Sequence, residues 1–116
     1  MRQTTVHAAL LGVEETLVEG VEFDGDEETL VARIRPRKRA RSRCGVCRRR
    51  CPGYDQGEGR RRWRALDLGT FRAFLEADAP RVSCPEHGVV VAHVPWARHD
   101  TRHTLAFDDT AARAAA

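Results

Sequence analysis

Apolar and polar positions alternate along most of the chain, and the alternation predicts strands. Leu17, Val21 and Phe23 mark one face of a first strand, with polar Thr16 and Glu22 between them. Asp24-Gly25-Asp26 supplies a turn, because Asp-Gly readily takes the positive φ of a tight hairpin. Leu30, Ala32 and Ile34 then share a face of the returning strand, Arg33 and Arg35 point the other way, and Pro36 ends it. Further on, residues 62–68 lead into a strand where Phe71, Ala73, Leu75 and Ala77 alternate with Arg72, Phe74, Glu76 and Asp78; Pro80 closes it. Residues 89–94 read as a last strand. Between these runs, residues 52–59 hold Pro, Gly and Asp and predict an exposed, mobile loop. Residues 104–107 form a short connector, and Asp108-Asp109-Thr110 predicts a helix start, with acids where the helix dipole favours them.

Two short clusters change this picture. Cys44-Gly-Val-Cys47 and Cys84-Pro-Glu-His87 are pairs of soft ligands separated by two residues, and together they supply four donors for a tetrahedral zinc ion. Gly45 and Gly88 suit the tight turns on which such pairs sit. Two such knuckles joined by strands make a zinc ribbon, and four protein ligands leave no open position, so the expected zinc is structural. A disulfide framework is the competing reading, but it needs a secretory context, and residues 1–11 carry neither a long apolar run nor a cleavage signal. Free thiols point to a reducing cytoplasm. Cys51 is left over, as an alternative ligand or, the preferred reading, a free thiol beside the site. The fold expected is mainly β: an N-terminal β-hairpin (1–37) packed on a zinc ribbon (38–97), then a connector and helix start (98–116).

At 116 residues the chain is one domain's worth, aromatics are 6%, and no run of about 20 apolar residues exists to span a membrane. A metal matters to so modest a core: structural zinc contributes about 10–16 kcal/mol of apparent binding energy in small peptides. Charge is distributed unevenly. Residues 1–32 hold one basic and eight acidic side chains, residues 33–64 fourteen basic and two acidic, and residues 65–116 five and seven. The middle third therefore carries +12 of a net +3, nearly all of it arginine, whose planar fork matches phosphate oxygens. Arg48, Arg49, Arg50, Arg60, Arg61, Arg62 and Arg64 are the candidate DNA contacts, with affinity expected to fall as salt rises. A solvated basic face, screened by the acidic first third, is the plainer alternative. Trp63 and Trp96 read as core or rim anchors in preference to base-stacking platforms. His99 and His103 lie four apart without an apolar face between them and read as a polar loop; His7 and His93 have no partner in sequence.

The hairpin, the Cys44/Cys47 pair, Tyr54-Asp55, Arg61-Arg62-Trp63-Arg64-Ala65-Leu66-Asp67-Leu68, Pro80 through Gly88, and Val94-Pro95-Trp96-Ala97 come in an order that resembles the N-terminal zinc-binding head of ISL-three-type insertion-sequence transposases. The resemblance runs from about residue 10 to 112. It implies that Cys44, Cys47, Cys84 and His87 hold zinc, and that the basic residues beside them help bind the element's terminal inverted repeats. The family's helix-turn-helix and DDE catalytic domain are expected downstream, so the chain is read as a truncated, non-catalytic remnant. A second reading is a zinc-stabilised interaction module that pairs with itself or with an intact transposase and inhibits it.

Overall fold

Leu30, Ala32 and Ile34 are buried on one face of their strand, and Ala73, Leu75 and Ala77 are buried on one face of theirs. These two stripes form the centre of the protein in a computed structural model that describes residues 15–105 and Phe107. Its strands, among those residues, are β1 (Thr16–Asp24), β2 (Thr29–Pro36), β3 (Gly53–Asp55), β4 (Arg60–Leu68), β5 (Phe71–Asp78), β6 (Arg81–Cys84) and β7 (Gly88–Val91). The fold is mainly β, as the alternation implies.

Hairpins β1–β2 and β4–β5 merge into one four-stranded sheet, in the order β1-β2-β5-β4, through a parallel pairing of β2 with β5 that sets Leu30 beside Ala73 and Ala32 beside Leu75. Cross-strand neighbours share a face, so the stripes fuse into one apolar surface. A smaller sheet, β3-β6-β7, carries Cys84 and continues into Ala92, which bridges to Cys44. What packs on the large sheet's core comes from either end of the β6–β7 hairpin: Ala79 just before β6, and Val91, Val94, Trp96 and Ala97 from the end of β7 onward. Six alanines in this core keep it shallow, and Trp63 and Trp96, both buried, fill the space edge-to-face at 5.3 Å. The indoles are thus core anchors.

Local details depart from the sequence pattern in three places. Register slips between Val18 and Gly20, so Glu19 is an extra residue in β1. Such a bulge flips side-chain parity: Val18 opposes Ile34 and Val21 opposes Ala32 on the core face, whereas Leu17 opposes Arg35 on the other. The hairpin turn spans Gly25 to Glu28, and the Asp24 carboxylate holds it by accepting from the backbone N–H groups of Asp26 and Glu27. Positive φ falls at Glu28 (51°) in place of Gly25. Within the expected 52–59 loop, Gly53–Asp55 pairs with β6 as β3. The expected helix start at 108–116 lies outside the described residues. No helix among the described residues is long and apolar enough to cross a membrane.

Candidate metal centre

Each ligand pair sits on a turn built by its own backbone. In the first, the Arg48 N–H donates to the Cys44 carbonyl at 2.8 Å, the Cys44 N–H to the Arg49 carbonyl at 2.8 Å, and the Val46 N–H to the Cys44 sulfur at 3.3 Å. The turn closes through Arg48 at φ 64°. In the second, β6 ends at Cys84, His87 lies three residues on, and Gly88 returns the chain with φ 74°, a conformation that favours glycine. Gly45 answers a different need. A β-carbon there would lie 2.5 Å from the Val91 carbonyl oxygen and against Nδ1 of His99, so the first knuckle packs directly on the β7 end. A salt bridge from Arg49 to Glu86 at 2.9 Å ties one knuckle to the other.

The small sheet brings the four donors together. One ligand atom from each of Cys44, Cys47, Cys84 and His87 lies within 4.8 Å of all the others. His87 Nδ1 is 3.6 Å from the Cys44 sulfur and 3.6 Å from the Cys84 sulfur, and the Cys47 and Cys84 sulfurs are 3.8 Å apart. Around one zinc with Zn–S near 2.3 Å and Zn–N near 2.0–2.1 Å, a tetrahedron places sulfurs about 3.8 Å apart and nitrogen about 3.6 Å from sulfur. The donor set fits zinc in both identity and spacing. Cys51 is buried beside this cluster without joining it, and its thiol donates to the Arg49 carbonyl at 3.2 Å.

Residues 40–87 match the zinc-finger of transposase IS204/IS1001/IS1096/IS1165. This segment is similar to the zinc ribbon of those transposases. Two curated relatives, the transposases for insertion sequence element IS1557 of Mycobacterium tuberculosis strains CDC 1551 / Oshkosh and ATCC 25618 / H37Rv, are each 52% identical to the chain over 117 residues. The alignment takes in 97% of this chain and 26% of each relative, so the chain spans about a quarter of their length. No solved structure matches.

Electrostatics at Cys44 and Cys84 favours metal over protons, whereas at Cys47 the Arg49 N–H is outweighed by burial and the neighbouring thiols, which raise the pKa. Burial raises the Cys84 thiol, but the backbone N–H groups of His87 and Glu86 and the neighbouring Cys44 and Cys47 outweigh it and bring the pKa down to about 7. For Cys44 burial again opposes, and the N–H groups of Cys47 and Val46 prevail and lower it. The sign follows: a depressed thiol pKa gives stability that is full above the unfolded value near 8.5 and is lost as pH falls through about 7. Zinc competes with those protons. Between pH 7 and pH 5 its apparent affinity is expected to drop by about a hundredfold per titrating thiol, about tenfold per pH unit for each proton taken up. Transfer of zinc to a chromogenic chelator across that range measures it, and a flat profile would contradict thiolate ligation.

The arginines fall into two groups that sequence alone does not separate. On the outer face of the large sheet, Arg33 pairs with Glu22, Arg35 with Glu19, Arg60 with Asp78, Arg62 with Glu76, and Arg64 with Asp67; near the first knuckle Arg39 pairs with Glu15. Arg64 is further held by the Ala65 and Ala73 carbonyls and lies over the Phe74 ring. Arg61 donates to the Thr101 carbonyl and lies over Trp63. By contrast Lys38, Arg41, Arg43, Arg48 and Arg50 have no carboxylate partner among the described residues. Arg43 and Arg50 donate to carbonyls of Arg39 and Arg48, which fixes the side chains and leaves their charge uncompensated. His99 and His103 have separate neighbours: His99 abuts Gly45, and His103 stacks on Phe107 at 4.8 Å between ring centroids.

Proposed function

We propose that the chain is the DNA-binding, zinc-stabilised module of an insertion-sequence transposase and that it engages the element's terminal inverted repeats. The observation that carries this reading is the uncompensated arginine cluster around the first knuckle of an ISL3-type ribbon. Cys44, Cys47, Cys84 and His87 hold one structural zinc in this reading; zinc supplies cross-linking and no reaction, since four protein donors leave no position for a reacting water. Arg48 and Arg50 reach phosphates directly, and Arg49 joins them in competition with its bond to Glu86. Arg60, Arg61, Arg62 and Arg64 add field from β4, weakened where carboxylates or carbonyls already hold them. By itself the module binds and does not cut or join DNA. Its free thiols suit a reducing cytoplasm.

Salt-dependent binding to a terminal-repeat duplex, compared with an unrelated duplex, tests the proposal. Arg48→Ala is expected to weaken both about equally and to reduce the salt slope by about 1, as loss of one phosphate contact does. Arg62→Ala, whose charge Glu76 compensates, is expected to do less. A loss confined to one sequence would show base readout at Arg48, and a larger effect at Arg62 would move the contact surface onto β4. Pairing with itself or with an intact transposase is the second reading. It draws on opposite charge in the hairpin and the ribbon, but Glu15, Glu19 and Glu22 are already paired within the chain. Stable dimers without DNA affinity would favour it.

A further inference from the structure

A groove of about 460 Å³ runs along the seam between the two sheets, lined by the ends of β2 and β5, by β3 and β6, and by residues 92–94. Its floor is apolar, with Val82 and Ala92 buried there. Its rim carries Tyr54, Arg41 and His93. We propose that this groove takes up an unpaired nucleotide of the bound DNA, the base stacking on Tyr54 and its phosphate held by Arg41; the inference rests on the DNA-binding reading above.

Four observations point there. Tyr54 is 58% exposed although it belongs to a strand, so its ring is presented to solvent and not spent on the core. The ring is nevertheless held in place, with the Arg81 guanidinium over it at 5.3 Å and Asp55 gripping that guanidinium at Nε, 2.8 Å away. A preorganised aromatic platform of this kind stacks any base without sequence preference. Charge in the groove is also one-sided. Its two carboxylates, Asp55 and Asp78, are occupied by Arg81 and Arg60, and Arg35 by Glu19, which leaves Arg41 as the uncompensated charge on the rim.

His93 supplies a polar edge. Burial, with Arg48, Arg43 and His99 nearby, holds its pKa below the ordinary value, so at neutral pH it offers an uncharged imidazole suited to a base edge. Finally, His93 also lines the neighbouring depression formed with Arg39, Arg43 and Arg48, so the groove opens onto the arginine cluster that carries the DNA reading. A duplex is too wide to enter such a seam. One extruded or overhanging nucleotide fits the volume that ligand pockets commonly have.

The test compares a blunt duplex with the same duplex bearing a short single-stranded overhang, by fluorescence anisotropy. The unsubstituted chain is expected to bind the overhang form about tenfold more tightly, in line with one stacked base. Tyr54→Ala is expected to remove that preference and leave blunt-duplex affinity unchanged; Tyr54→Phe, which keeps the ring, is expected to retain it. Zinc content and the far-UV spectrum of each variant confirm folding, and Arg41→Ala, which also removes one of the uncompensated charges, is expected to weaken both DNAs and the overhang form more. Equal affinity of the unsubstituted chain for the two DNAs, or a preference that survives Tyr54→Ala, overturns the groove assignment alone. Absence of binding to either DNA overturns the DNA reading and the groove with it.

Discussion

Cys44→Ser is expected to abolish zinc binding and to leave the chain without cooperative structure. Cys44 is fully buried, its sulfur accepts from the Val46 N–H, and its backbone bridges to Ala92, so it belongs to the ion, the knuckle and the small sheet at once. A serine hydroxyl is a harder and poorer donor for zinc, and three ligands do not close the site. Among the described residues the small sheet's buried apolar cluster is limited to Cys44, Cys51, Val82, Cys84 and Ala92 with Val90 packed against it, and three of these are cysteines. The damage then spreads, because residues that pack on the large sheet's core come from either end of the β6–β7 hairpin. Loss of about 10–16 kcal/mol of metal binding energy is comparable to the whole stability of an ordinary domain, about 5–15 kcal/mol. Zinc stoichiometry and far-UV circular dichroism during chelator addition check this: one zinc per parent chain, none in the variant. Cys51→Ser is the control and is expected to keep its zinc, since the Cys51 sulfur lies outside the four-donor cluster. One zinc and an unchanged spectrum in Cys44→Ser would refute the ligand assignment.

Trp96→Ala is expected to cost about 3–5 kcal/mol and to lower the melting temperature by about 10–20 °C, with zinc retained below the transition. Trp96 is 1% exposed and packs on Trp63 over a bed of alanines too small to collapse into the space it would vacate. Its Nε1 has no hydrogen-bond partner among the described residues, so the expected loss is one of packing. Trp96→Phe should fall between the two. Thermal unfolding of the zinc-loaded protein measures the series, and a shift under about 2 °C would mean that the sheets are held by the ion with little help from this contact.

Much of the architecture is written in period two. The stripes Leu30-Ala32-Ile34 and Ala73-Leu75-Ala77 are buried as the alternation requires, and the four donors can be picked out because zinc chemistry dictates both residue types and spacing. What stays hidden depends on register and partners. The parallel pairing of β2 with β5 joins strands some 40 residues apart, and no local signal announces it. β3 is three residues long and exposed throughout, so it has no stripe to show. The split between compensated and uncompensated arginines appears only once pairing sets Arg60 opposite Asp78 and Arg62 opposite Glu76. Gly45 reads as a turn residue, yet its tight neighbour is a carbonyl from a strand far along the chain.

The extra residue at Glu19 has a further consequence, for life among other chains. Among the described residues β1 forms one outer margin of the large sheet, and at a sheet margin a straight run of unpaired backbone groups invites strand addition by a stranger. The slip between Val18 and Gly20 breaks that run midway, and Arg35 on β2 reaches over to Glu19 itself. A foreign strand finds no uninterrupted ladder to copy. The opposite margin, β4, is partly occupied by the chain's own later segment, through the Arg64 N–H to the Arg102 carbonyl and the Thr104 N–H to the Arg64 carbonyl. The same local features that set which side chains face the core therefore also guard the sheet against aggregation.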